Sequence, residues 1–121
     1  MTDATQIADR YITVWNETDP VRRNALLAEG WNEDATYVDP IVAGSGLAEI
    51  GALIGAVHER FPGLRFTLAG RVDSYADKVR FSWAFGPQTE PDMIKGTDFV
   101  VTRQGRVESV TGFIDKVPAT V

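Results

Sequence analysis

The sequence predicts an α+β domain in which three N-terminal helices pack on the concave side of a cone-like, curved antiparallel sheet, around an apolar pocket. Three observations predict it. The first half carries apolar residues at helical spacing, the half after Pro62 alternates with a period of two, and Gly/Pro punctuation separates the segments. Helices followed by long neighbouring strands bury their apolar faces best as two layers. A chain of 121 residues makes one domain, 1–121, able to enclose a core, with no linker or internal repeat.

In the first helix, over roughly residues 4 to 17, Ile7, Tyr11, Val14 and Trp15 share one face. Thr18-Asp19-Pro20 then stops and restarts the chain. Asp19 suits an N-cap and Pro20 the first helical position, which places a second helix up to about Glu29, before Gly30. Ala35 to Asp39 reads as a short strand ended by Pro40, and residues 41 to 46 as a loop. Ile50, Leu53, Ile54 and Val57 mark a third helix, which ends before Pro62 because a residue preceding proline disfavours the α region.

From there Leu64, Phe66 and Leu68 alternate with Arg65 and Thr67, and Val79, Phe81, Trp83 and Phe85 alternate with Arg80, Ser82 and Ala84. The Trp83 strand faces either the core or an exposed surface. Gly86 to Asp92, with two prolines, is a loop or an unusually wide hairpin connection. Met93 to Thr102 and Val107 to Asp115 form two strands joined across a tight Gln104-Gly105 turn.

Composition excludes several classes of function. The net charge is −5 with no basic stripe, which argues against nucleic acid or an anionic membrane as partner. The absence of cysteine removes disulfides, thiol catalysis and thiolate-bound metals. His58 stands alone near the end of the third helix, where a cation meets the helix C-terminus favourably, so neither a metal centre nor a catalytic triad is expected. Gly44-Ser45-Gly46 lacks the pattern of a phosphate-binding loop and reads as a helix cap. No run reaches the about 18 apolar residues of a membrane span, and the polar N-terminus lacks the layout of a signal peptide; the expectation is a cytoplasmic protein.

Two carboxylates lie inside strand-like segments, Asp39 in Tyr37-Val38-Asp39-Pro40 and Asp98 in Lys95-Gly96-Thr97-Asp98. Aspartate is disfavoured in strands and costly to bury unpaired, so both are candidate site residues. Alternation puts Asp98 on the face of Ile94, Gly96 and Val100, opposite Lys95, Thr97, Phe99, Val101 and Arg103. Desolvated there, its pKa rises and it serves as a neutral hydrogen-bond donor. An ion pair, or a bond to Tyr11 with no substrate involved, is the structural alternative. Asp39 reads either as a proton-transferring base or as a strand-ending residue that bonds nearby backbone N–H groups. The Tyr11 ring packs in the core in either case, and its hydroxyl needs a partner.

Arg10-Tyr11-Ile12, Glu33-Asp34-Ala35-Thr36 leading into Asp39-Pro40, Asp98-Phe99-Val100 running to Gly105-Arg106-Val107, and Gly112-Phe113-Ile114-Asp115 together resemble the nuclear transport factor 2-like superfamily. The resemblance spans nearly the whole chain and is greatest to the SnoaL-like polyketide cyclase and ketosteroid isomerase branch. It implies catalytic roles for Tyr11, Asp39 and Asp98. Asp39 would move the proton, while Tyr11 and a protonated Asp98 bond the dienolate oxygen. It also implies a cofactor-independent isomerase or cyclase acting on a small hydrophobic carbonyl compound, with a homodimer as the assembly. A non-catalytic module binding a small hydrophobic ligand is the second reading, and a pure dimerisation or scaffold domain, which requires the cavity to be filled by side chains, is the third. The sequence departs from related branches at two places: Gly112 stands where epoxide-hydrolase-like members and SnoaL-type cyclases carry an aspartate, and Arg80-Phe81-Ser82 lacks an Arg-x-Asp pattern.

Overall fold

The computed structural model describes residues 3–118. Helix α1 (Ala4–Asn16) starts at Asp3, whose side chain accepts a hydrogen bond from the Thr5 N–H, and it buries Ile7, Ala8, Tyr11, Val14 and Trp15. Helix α2 (Pro20–Gly30) begins as expected, with the Asp19 carboxylate capping Arg22 N at 3.0 Å and Pro20 in the first turn. Strand β1 (Trp31–Val38) follows directly. It begins four residues before the expected start at Ala35, because Asn32-Glu33-Asp34 breaks the alternation and the register shifts between Trp31 and Thr36.

Residues 43–45 of the expected loop form a short edge strand, β2 (Ala43–Ser45), paired antiparallel with β1. Three residues are too few for a periodic signal. Gly46, at φ +84°, turns the chain into α3 (Leu47–Arg60), which ends before Pro62. The remaining strands are β3 (Arg65–Tyr75), β4 (Lys78–Gly86), β5 (Ile94–Arg103) and β6 (Arg106–Lys116). Strand β3 runs past the alternation that ends at Leu68. Gly70 at φ +82° and a register shift between Ala69 and Asp73 disguise the rest. Gln104 and Gly105 both have positive φ, the geometry that lets a two-residue turn match the twist of β5 and β6.

The six strands lie in the order β2-β1-β6-β5-β4-β3. Each neighbouring pair is antiparallel except β1 and β6, which run parallel, so the sheet is mixed. It is curved and does not close on itself. All three helices lie on the face that carries Phe66, Val79, Phe81, Trp83, Phe85 and Val100. The fold class is the expected α+β one.

Aromatic rings fill the concavity. Tyr11 stacks on Trp31 at 5.7 Å and meets the edge of Phe81 at 5.0 Å. Trp15 packs against Tyr37 and Phe66, and Phe66 stacks on Phe85 at 4.0 Å. Each buried side chain of this size contributes about 1.5–3 kcal/mol. The end of α1 is fastened to β3 by Asn16, whose amide donates to Phe66 O and accepts from Phe66 N.

Candidate functional site

Asp98 sits in the middle of β5 and is 3% exposed. Tyr11 reaches it from α1, and its hydroxyl donates to Asp98 Oδ2 at 2.5 Å, a length typical of a hydroxyl donating to a carboxylate. Asp98 Oδ1 is buried without a partner. Burial pushes the Asp98 carboxyl up to about 6; the Tyr11 hydroxyl and the Trp83 indole act against the rise, and the negative charges of Asp39 and Asp115 add to it. The Tyr11 phenol is itself raised well above 10, first by burial and then by the neighbouring Asp98. Tyr11 is therefore neutral wherever the protein is folded near neutrality.

Asp39 lies half-buried at the end of β1. Its Oδ1 accepts from the backbone N–H groups of Ile41 and Val42 at 2.8 and 2.9 Å, and its Oδ2 accepts from the Tyr37 hydroxyl at 2.7 Å. The carboxylate holds the turn after Pro40, as the structural alternative anticipated, and its charge still reaches Asp98. Gly112 on β6 pairs with Asp98. The point where a Cβ on Gly112 would lie is 2.9 Å from Asp98 Oδ1, 3.2 Å from Asp39 Cβ and 3.5 Å from the Tyr37 hydroxyl.

Tyr11 and Asp98 thus touch directly. Asp39 joins them indirectly, across the side-chain-free position of Gly112 and through Tyr37. Sequence reasoning missed Tyr37. The signal was available, because Tyr37 stands two residues before Asp39 on an alternating strand and so shares its face. Burial and the charge of Asp98 raise the Tyr37 phenol far above its ordinary range.

The expected apolar pocket is occupied at this point by the rings of Tyr11, Trp15, Trp31 and Phe81. The described cavities lie elsewhere. One of about 480 Å³ opens where α1, α2 and α3 meet the start of β3, and one of about 530 Å³ lies beside Gly70, Lys95 and Asp115. Neither is lined by Tyr11, Asp39 or Asp98. Among the described residues, no group of three or more histidines and acids could hold a metal.

This frame has clear relatives. The SnoaL-like domain matches residues 8–110. The chain belongs to the SnoaL-like family. It is 41% identical to a protein from Agrobacterium tumefaciens C58, provisionally named an isomerase of the SnoaL-like family; the match covers 95% of this chain and 99% of that one at a TM-score of 0.90. A provisionally named ketosteroid isomerase from Kribbella flavida matches with a TM-score of 0.71 at 20% identity, covering 98% of this chain and 82% of the other. A provisionally named SnoaL-like polyketide cyclase from Jannaschia sp. CCS1 matches with a TM-score of 0.70 at 15% identity, covering 92% and 86%. The last two likenesses show the fold alone. No curated protein matches the chain. No helix among the described residues is long and apolar enough to cross a membrane.

Proposed function

We propose that this SnoaL-like protein is a cofactor-independent enzyme that moves a proton on a small hydrophobic carbonyl compound, by isomerisation or cyclisation. One observation carries the reading. Asp98 is a buried carboxyl raised to about 6, with one oxygen bonded to Tyr11 and the other unpartnered. Near neutrality a carboxyl at about 6 keeps a minor protonated fraction, and that fraction, beside a phenol that stays protonated, is the form suited to supply hydrogen bonds to a developing oxyanion. In this reading Asp39 takes the proton. Three donors use three of the four lone-pair positions of its carboxylate, which leaves one for a substrate proton. Tyr11 and protonated Asp98 then hold the enolate oxygen. Substrate entry requires the rings around Tyr11 to part.

The second reading, a non-catalytic module for a small hydrophobic ligand, is favoured by the turn-holding bonds of Asp39. Exchange of α-protons of an enolisable cyclic ketone in deuterated water, followed by NMR, separates the two. The enzyme exchanges them, and Asp39→Asn removes most exchange while leaving ketone affinity nearly intact. A wild-type protein that binds such ketones and exchanges none of their protons refutes catalysis on them. The proposal includes a homodimer formed through the outer face of the sheet, where Val38, Phe99 and Phe113 are exposed, with Phe113 at 52%. Light scattering tests it. The proposal places the protein in the cytoplasm, free of nucleic acid and membrane, in keeping with its net charge of −5.

A further inference from the structure

The cavity where the three helices meet β3 is built around a cation that the proton-transfer site does not use. Arg23, in the first turn of α2, lines it and is 6% exposed. Its Nη1 donates to the Glu17 carbonyl oxygen at 3.0 Å, while its Nε is buried without a partner. Among the described residues Arg23 forms no ion pair. A guanidinium cannot shed its proton to escape burial, so an unpaired buried arginine is costly unless an anion compensates it.

The backbone is shaped to admit this side chain. Gly55 of α3 faces it, and a Cβ there would lie 2.9 Å from Arg23 Nη2. Arg65 and the hydroxyl-bearing Thr18 also line the cavity, and Glu59 is the one acid among the lining residues. Glu59 is exposed and forms no ion pair with either arginine. His58 is fixed at the wall, its Nε2 meeting the Trp15 carbonyl oxygen at 2.5 Å; a carbonyl only accepts, so Nε2 carries the proton. The two arginines outnumber the acid, which leaves a local excess of positive charge in a protein whose net charge is −5. Pro20, Pro62 and Leu64 supply an apolar wall. A volume of about 480 Å³ suits a small organic anion.

We propose that this cavity binds the oxyanion of a small molecule, a carboxylate or a phosphoryl group, with Arg23 as the anchor and Gly55 as the residue that makes room for it. The planar fork of the guanidinium matches both groups, and burial strengthens the pairing.

The test uses amide NMR shifts of the full chain during titration with sodium acetate, sodium hexanoate or inorganic phosphate at constant ionic strength, so that screening does not mimic binding. Saturable shifts at Gly55, His58 and Gly63 are expected from at least one of the three. Phosphate saturating alone identifies a phosphoryl ligand, and the carboxylates saturating alone identify a carboxylate. Tighter hexanoate than acetate assigns the apolar wall to the ligand's tail. Arg23→Gln should weaken the binding about tenfold or more, the effect of losing one charge-assisted anchor. Gly55→Ala keeps the positive charge and favours the helix but pushes the guanidinium aside, so it should fold and still bind several-fold more weakly. It decides the matter if Arg23→Gln does not fold. Absence of saturable shifts with all three anions overturns the proposal, and so does binding by the folded variants as tight as by the wild type.

Discussion

Replacing Asp98 with asparagine removes a carboxyl whose burial changes its proton affinity on folding, so stability should report it directly. The folded carboxyl titrates at about 6, and the ordinary value is 3.8. Between these pH values the folded protein holds more protons than the unfolded chain. Stability from this group is therefore fully present below about 3.8 and is lost as pH rises through about 6. The displacement of roughly two units corresponds to about 3 kcal/mol at the plateau. Asparagine keeps an oxygen for the Tyr11 hydroxyl and titrates nowhere. Urea unfolding of both proteins at a series of pH values between about 4 and 8 isolates the effect, since groups not coupled to Asp98 cancel in the difference. The stability of Asp98→Asn relative to wild type should climb by most of that about 3 kcal/mol as pH rises from about 4 to 7, then level off. Tyr11 does not interfere, because its phenol stays protonated throughout the range. A difference flat in pH, or one that falls as pH rises, refutes the argument that desolvation dominates at Asp98.

Two further substitutions probe the same cluster. Tyr11→Phe removes the hydrogen bond that holds the Asp98 carboxyl down, so that carboxyl should titrate higher still in a carbon-detected NMR titration. In the proposed enzyme it should also slow exchange by the equivalent of about 2–4 kcal/mol, the usual value of one oxyanion donor. Asp98→Asn should slow exchange less than Asp39→Asn does, because an amide still donates to an oxyanion. Gly112→Ala would set a methyl group 2.9 Å from Asp98 Oδ1 and 3.2 Å from Asp39 Cβ. It should cost about 1–3 kcal/mol in thermal or urea unfolding, and unchanged stability would show that the two acids are not held together there.

What was legible in the sequence follows from period and punctuation. The face shared by Ile7, Tyr11, Val14 and Trp15 and the alternation through Asp98 depend only on local geometry, so spacing alone marks the two side chains that meet at 2.5 Å as inward-pointing. The parallel join of β1 to β6 was not legible, since alternation does not disclose a strand's partner or its direction. Strand β2 was too short to show a period, and the start of β1 was hidden behind Asn32-Glu33-Asp34. The filling of the concavity by Trp15 and Trp31 depends on how far helices and sheet approach, which no spacing encodes. Arg23 was hidden for a different reason. An arginine in the first turn of a polar helix reads as solvated, and only the meeting of α2 with the glycine of α3 buries it.

The paired bonds between Asn16 and Phe66 have a bearing on the behaviour of this protein in a crowded solution. Strand β3 is the edge of an open sheet, and an edge exposes unpaired N–H and C=O groups that can recruit a strand from another chain. At Phe66 both groups are taken by one side-chain amide, which occupies that rung as a neighbouring strand would. The bend at Gly70 and the register shift before Asp73 deform the next stretch of the same edge. Helix α1 therefore guards the sheet against aggregation as well as supplying Tyr11, and a lesion at Asn16 would expose a template for self-association beside a chemically intact site.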